Sequence, residues 1–190
     1  MRIAGVLLAA GRSTRFGADD KLAAMLGGRP LLHHAADAMR AAPLASRFLV
    51  RSGAVDGLDG FATVAIPQGA EMSRSLAAGI AAARAAGADA ALVALGDMPF
   101  VPAAHLATLI AACEGPGALL ASGDATRRAP PALFGSDWFA DLEAATGDAG
   151  ARSLLTRATL LPLPPEALRD IDTVDDLRVA ERDKGNPKPR

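Results

Sequence analysis

The chain has 190 residues, 51% of them hydrophobic, and a formal net charge of −1. That length suits one domain with a substantial core, and near-neutrality excludes a nucleic-acid binder that works through bulk charge, because such domains are basic. The single cysteine, Cys113, excludes an internal disulfide and a cysteine-rich metal site.

Residues 3–9 form an apolar run read as a buried strand. With Arg2 before it and Leu8-Ala9-Ala10-Gly11 after it, the run superficially resembles a short secretory signal. It lies at the bottom of the ~7–15 residue range of such segments, and glycine and two arginines follow at once, so the strand reading is preferred. Residues 30–39 are read as a helix, with Pro30 in its first turn and Leu31, Leu32, Ala35 and Met39 on one face. Residues 48–51 and 61–66 are short strands, 73–86 an alanine-rich helix, and 90–95 a continuous apolar strand. Residues 102–113 are helical, and Cys113 shares a stripe with Leu106, Leu109 and Ile110, which assigns it to core packing. Strands at 118–121 and 131–134, a helix at 138–145, a strand at 159–163 and a helix at 173–182 complete the pattern. Residues 1–183 are expected to form one domain, and the polar, proline-punctuated residues 184–190 a disordered tail.

Apolar strands separated by amphipathic helices predict an α/β fold, a Rossmann-like three-layer α/β/α arrangement with a mostly parallel sheet. Ligands of such sheets gather beyond the carboxyl ends of the strands. Polar signatures are expected at three such ends, after Leu8, Leu95 and Ile171. No stretch reaches the ~18–20 uninterrupted apolar residues of a membrane span, so the expectation is a cytoplasmic protein without membrane or nucleic-acid partners.

The segment Leu8-Ala9-Ala10-Gly11-Arg12-Ser13-Thr14-Arg15-Phe16-Gly17, followed by Lys21, has the character of a phosphate-binding loop. Glycine lets backbone N–H groups approach phosphate oxygens, and Arg15 and Lys21 supply positive charge. A Walker A loop and a dinucleotide fingerprint both fail, because Phe16-Gly17-Ala18 stands where Gly-Lys-Ser/Thr belongs and Ser13 where the second glycine belongs. An ordinary strand-to-helix turn with solvated cations is the plain alternative.

Gly96-Asp97-Met98-Pro99 reads either as a turn or as a carboxylate able to hold Mg²⁺ against phosphate oxygens. In Asp170-Ile171-Asp172-Thr173-Val174-Asp175-Asp176, Thr173 and Asp176 look like a capping box, which leaves Asp172 unexplained. In Glu71-Met72-Ser73-Arg74-Ser75-Leu76-Ala77-Ala78-Gly79, the serines are either helix caps or ligand contacts. His33, His34 and His105 lack metal-ligand spacing, and Arg127-Arg128 fits either an anionic ligand or a solvated loop.

The spacing Leu8-Ala9-Ala10-Gly11-x-x-x-Arg15-x-Gly17-x-x-x-Lys21, with the three later segments, resembles the MobA-like nucleotidyltransferase family. It is most similar to the molybdenum-cofactor cytidylyltransferase branch, through Ala10, the Ser-Leu segment, Pro131-Ala132-Leu133-Phe134 and Gly147-Asp148-Ala149-Gly150-Ala151-Arg152. Guanylyl-transferring relatives usually carry a second glycine where Ala10 stands. A histidine frequent before the family's Leu-Phe is replaced within Ala129-Pro130-Pro131, which puts recognition of the pterin side in question.

The resemblance implies transfer of CMP from CTP to the terminal phosphate of a molybdopterin-type acceptor, with pyrophosphate as leaving group. It implies catalytic roles for Arg15, Lys21 and Asp97, nucleotide contacts from Leu8, Ala9, Ala10, Gly11, Arg12, Lys21, Ser75 and Asp97, and Mg²⁺ on Asp97 and Asp172. A recipient molybdoenzyme is a further implied partner. The alternatives are another phosphorylated acceptor, including a GTP-using guanylyltransferase or a sugar-phosphate enzyme, and a non-catalytic protein that delivers a finished cofactor.

Overall fold

A computed structural model describes residues 1–11, 16, 20–52, 57–124, 126–147 and 149–185. In chain order these form β1 (Ile3–Leu8), β2 (Met25–Leu26), β3 (Arg29–Pro30), α1 (Leu31–Ala41), β4 (Ser46–Ser52), β5 (Ala62–Ile66), α2 (Met72–Ala85) and β6 (Ala90–Leu95). There follow α3 (Ala103–Ala111), β7 (Leu119–Gly123), β8 (Arg128–Gly135), α4 (Phe139–Ala144), α5 (Ala149–Arg157), β9 (Thr159–Pro162) and α6 (Val174–Gly185). Single 3-10 turns stand at Lys21–Ala23 and Ser136–Trp138.

Seven strands make one sheet in the order β5-β4-β1-β6-β8-β7-β9. All run parallel except β8, which pairs antiparallel with both β6 and β7. The mostly parallel sheet read from the alternation of elements is present.

The central position of β1 explains its unbroken apolar sequence, since side chains pointing either way meet a layer of helices. Ala4, Val6 and Leu8 join the cluster built with Leu76 and Ile80 of α2 and Leu142 of α4. Ile3 and Leu7 join the opposite cluster, with Leu31 and Met39 of α1 and Leu106 and Leu109 of α3. β6 divides the same way, Leu92 and Ala94 to one side, Ala91 and Val93 to the other. Helix α2 lies close against β1 and β4 because Gly79 has no side chain: a Cβ there would stand 2.4 Å from Val6 Cγ1 and 3.0 Å from Val50 Cγ2.

Four features depart from the sequence expectation. The hairpin β2–β3 closes through Gly27 (φ 60°) and Gly28 (φ 75°), the two positive-φ positions of a tight hairpin turn; its strands are too short to show alternation. Helix α5 follows Asp148, and its Gly150 weakens a local helical signal that is only nine residues long. Asp172 is not at a strand end, because β9 stops at Pro162 and a nonregular segment leads to α6. Helix α6 runs on to Gly185, into the segment read as a tail, and residues 186–190 lie outside the described residues.

Candidate active site

The carboxyl ends of β1 and β6 lie side by side, with Leu8 paired to Leu95 and the Gly96 N–H donating to the Leu8 carbonyl at 2.9 Å. A Cβ on Gly96 would stand 2.8 Å from Leu32 Cδ1 and 3.5 Å from Leu22 Cδ2. Its absence lets α1 and the turn carrying Lys21 close over the end of β6.

That turn is pinned through the residue that caps it, Asp20. Asp20 Oδ1 accepts from the Leu22 N–H (3.0 Å), and Asp20 Oδ2 accepts from Arg51 Nη2 (3.2 Å) at the end of β4. The Ala24 N–H returns to the Lys21 carbonyl at 3.2 Å, and Phe16 and Leu22 are buried in the adjoining cluster. The backbone of Lys21 is therefore held from β4, through Arg51, and beside the end of β6, where Leu22 packs near Gly96.

The Lys21 ammonium donates to Asp97 Oδ2 at 2.7 Å and to Asp172 Oδ1 at 2.8 Å. The Lys21 side chain is 8% exposed, Asp97 20% and Asp172 43%. Burial opposes the charge on Lys21. The adjacent Asp97 carboxylate, the hydrogen bonds to Asp172 and Asp97 and the charge of Asp172 outweigh it and raise the lysine pKa above its ordinary value.

Asp172 arrives from the far end of the chain along two routes. The Ile171 N–H donates to the Asp97 carbonyl at 2.9 Å. Thr173 and Asp176 then form the reciprocal cap expected from the sequence: the Thr173 N–H donates to Asp176 Oδ2 (2.8 Å) and the Asp176 N–H to Thr173 Oγ1 (3.1 Å). The Asp172 N–H joins the same Asp176 oxygen at 3.2 Å.

Two carboxylates and one ammonium carry a formal charge of −1. Asp97 Oδ1 is buried and accepts no hydrogen bond among the described residues. A buried carboxylate oxygen without a donor suits a hard cation, which commonly takes one or two protein carboxylates and completes its shell with phosphate oxygens and water. No group of three or more His, Cys, Asp or Glu able to hold a metal occurs among the described residues.

Beyond the end of β1 a cavity of about 320 Å³ is lined by Ala10, Gly11, Ala70, Glu71, Met72, Ser75 and Gly147. Ala10, Gly11 and Ser75 are thus together, as read from the sequence, while Glu71 and Met72 were quoted only as parts of a motif. Ser75 is 1% exposed and its hydroxyl donates back to the Glu71 carbonyl at 3.3 Å. Leu8 and Ala9 are buried and spend backbone groups within the sheet, with the Ala9 N–H donating to the Val50 carbonyl at 2.9 Å. Arg12 and Arg15 lie outside the described residues. A larger groove, about 510 Å³, includes Trp138, Arg157 and Thr159, but it opens where β7 and β9 begin, at the sheet end opposite the acids.

Asp20 and Arg51 escaped the sequence reading. An acid directly before Lys21 was a visible signal, whereas Arg51 becomes legible only once β4 is known to lie beside β1. Each of the two undecided arginines gives an N–H to a carbonyl, Arg127 Nη2 to Leu168 (3.1 Å) and Arg128 Nε to Ala158 (3.0 Å). Neither of these bonds is part of the acid–lysine cluster. His105 is buried and bonded to Ser122 Oγ at 2.8 Å, and His34 meets the Leu26 carbonyl at 2.9 Å.

A mostly parallel sheet with two acids and a lysine gathered beyond its carboxyl edge has the ligand-binding end of an open α/β fold. The MobA-like NTP transferase domain matches residues 5–162, and the chain belongs to that family. A protein of Cereibacter sphaeroides named molybdenum cofactor guanylyltransferase is 33% identical, over 95% of this chain and 96% of its own length. The crystal structure of Rv0371c from Mycobacterium tuberculosis H37Rv superposes with a TM-score of 0.78 at 28% identity, over 96% of this chain and 99% of that one. A structure of the same protein described as a complex with manganese gives a TM-score of 0.75 at 27% identity, with the same coverage. The curated relative is named for guanylyl rather than cytidylyl transfer, so CTP, the donor expected from Ala10, is not the base its name carries. No helix among the described residues is long and apolar enough to cross a membrane.

Proposed function

We propose that this protein transfers a nucleotidyl group from a nucleoside triphosphate, with GTP as the leading donor, to the terminal phosphate of a molybdopterin-type acceptor. The observation that carries the reading is the Lys21–Asp97–Asp172 cluster at the sheet edge, beside a cavity that begins at Ala10 and Gly11. The name of the Cereibacter sphaeroides relative supports the acceptor class and the guanine base. CTP remains the second reading because Ala10 stands where guanylyl-transferring members usually have glycine.

An oxygen of the acceptor phosphate forms a bond to the α-phosphorus, and the bond from that phosphorus to the bridging oxygen of pyrophosphate breaks. A phosphate monoester has a second pKa near ~6 and is mostly dianionic at neutral pH, so no general base is required. This agrees with the engagement of His34 and His105 in packing and backbone contacts. What the site must supply is alignment and relief of repulsion between anions. The Lys21 ammonium provides positive charge at the edge of the sheet, and Ala10, Gly11 and Ser75 are the candidates for holding the base and sugar. Arg12 and Arg15 are proposed phosphate contacts.

Asp97 and Asp172 would hold Mg²⁺, which when bound neutralises phosphate charge and orients the phosphoryl groups. The manganese complex of the mycobacterial neighbour supports a divalent cation in this fold. Cytoplasmic residence and hand-over to a molybdoenzyme complete the proposal. The test is pyrophosphate release from each of the four nucleoside triphosphates with Mg²⁺, with and without molybdopterin. Acceptor-dependent release, greatest with GTP, is expected; release greatest with CTP selects the second reading, and none with any triphosphate overturns both.

A further inference from the structure

The position of Lys21 raises a problem for any cation that is to bind the two acids. Its ammonium already occupies the ground between them, 2.7 Å from Asp97 Oδ2 and 2.8 Å from Asp172 Oδ1. The Lys21 side chain is 8% exposed, so little water intervenes to weaken that attraction. An ammonium is a compact point charge with three donors and can satisfy two carboxylates at once. A divalent cation needs short bonds to the same class of oxygen, about 2.0–2.1 Å for Mg²⁺. Two cations held a few ångströms apart on the same acid pair repel each other, so each weakens the other's hold.

We propose that Lys21 is a resident competitor of the divalent cation. In the ligand-free protein it neutralises the acid pair, and it yields that pair as the cation arrives. The triphosphate, as the incoming anion, provides the ammonium with alternative partners. Metal alone therefore binds weakly, and metal and triphosphate bind with positive cooperativity. The inference rests on the function proposed above and adds an order to its binding steps.

The local structure suits such an exchange. The backbone of Lys21 is held by the Asp20–Arg51 pair and by the Ala24 N–H on the Lys21 carbonyl. Asp97 and Asp172 are joined through the Ile171 amide, independently of the lysine. Only the lysine side chain has to move, a rotation of the rapid kind available to a long flexible side chain. A cation taken by Asp97 Oδ1, the oxygen without a hydrogen bond, would instead leave Lys21 in place.

The experiment has two arms. In the first, Mn²⁺ alone is titrated into the wild type and Lys21→Met, with free Mn²⁺ read by electron paramagnetic resonance and folding checked by circular dichroism. Lys21→Met is expected to bind Mn²⁺ about tenfold or more tightly, the scale of coupling between close charges. Equal or weaker binding overturns the competition. In the second arm the wild type is labelled with acetic anhydride, with and without saturating Mg²⁺, and Lys21 acylation is read by peptide mass spectrometry. Labelling should rise when Mg²⁺ binds; a lysine that stays protected overturns the exchange, even if Lys21→Met does not fold. Pyrophosphate release by the wild type reports on the proposed function separately. Normal release with equal Mn²⁺ affinities removes this inference alone, whereas no Mn²⁺ binding by either protein removes the metal reading with it.

Discussion

The backbone N–H of Ile171 donates to the carbonyl oxygen of Asp97 at 2.9 Å. The two segments that bring the acids together are therefore joined through the main chain, not only through the lysine between their side chains. Changing either carboxylate leaves that junction in place, so substitutions there report on chemistry more than on folding.

Asp97→Asn is expected to lower kcat by about 10²–10³, the usual loss when one strong electrostatic contact to a transition state is removed. Asp172→Asn should cost less, because its side chain is 43% exposed against 20% for Asp97 and water can take over part of its role. Steady-state pyrophosphate release with matched melting curves checks both. An Asp97→Asn enzyme as fast as the wild type would remove this carboxylate from the site.

Thr173→Ala should destabilise the start of α6 by about 0.5–2 kcal/mol, the range for loss of a capping side chain. Asp176 has its pKa lowered from 3.8, foremost by the Thr173 hydroxyl and despite some burial, with help from backbone N–H groups. A lowered carboxylate pKa stabilises the fold above the unfolded value, and that contribution disappears as pH falls through the lower, folded value. The Thr173→Ala deficit in urea melts should therefore be present at neutral pH and shrink below about 3.8.

Gly79→Ala should be destabilising although alanine favours helix by about 1 kcal/mol over glycine. The added methyl would stand 2.4 Å from Val6 Cγ1, and overpacking of this kind costs about 1–3 kcal/mol. A lowered midpoint of denaturant unfolding with unchanged slope is the expected signature; a raised midpoint would show that α2 can shift outward freely.

His105 gives the fold an acid-sensitive point. Ser122 Oγ donates to the Pro131 carbonyl at 2.6 Å, so its single proton is committed and the His105 ring must donate to it through Nε2–H. Burial lowers the imidazole pKa below 6.5. Between that lowered value and 6.5 the unfolded chain binds more protons than the folded one, so stability falls as pH drops through this window. His105→Gln should flatten the acid limb of stability between pH 6.5 and the lower value; an unaltered limb would locate the acid sensitivity elsewhere.

The amino-acid sequence by itself determined the alternation of elements, the continuous apolar runs of β1 and β6 and the cap of α6. Each is written in side chains a few residues apart, where strand and helix periodicity or a cap acts locally. It also marked Lys21, Asp97 and Asp172 as chemistry-bearing. Only the tertiary structure decided that these three touch, because Lys21 and Asp97 are 76 positions apart in the sequence and Lys21 and Asp172 are 151 apart. Contact across such separations is set by sheet order and packing, which place β1 next to β6 and bring the approach to α6 back onto the Asp97 carbonyl. The reversed direction of β8, the anchoring of Asp20 by Arg51 and the non-strand setting of Asp172 belong to that second category. Each depends on which distant segments become neighbours, and no local period records that choice.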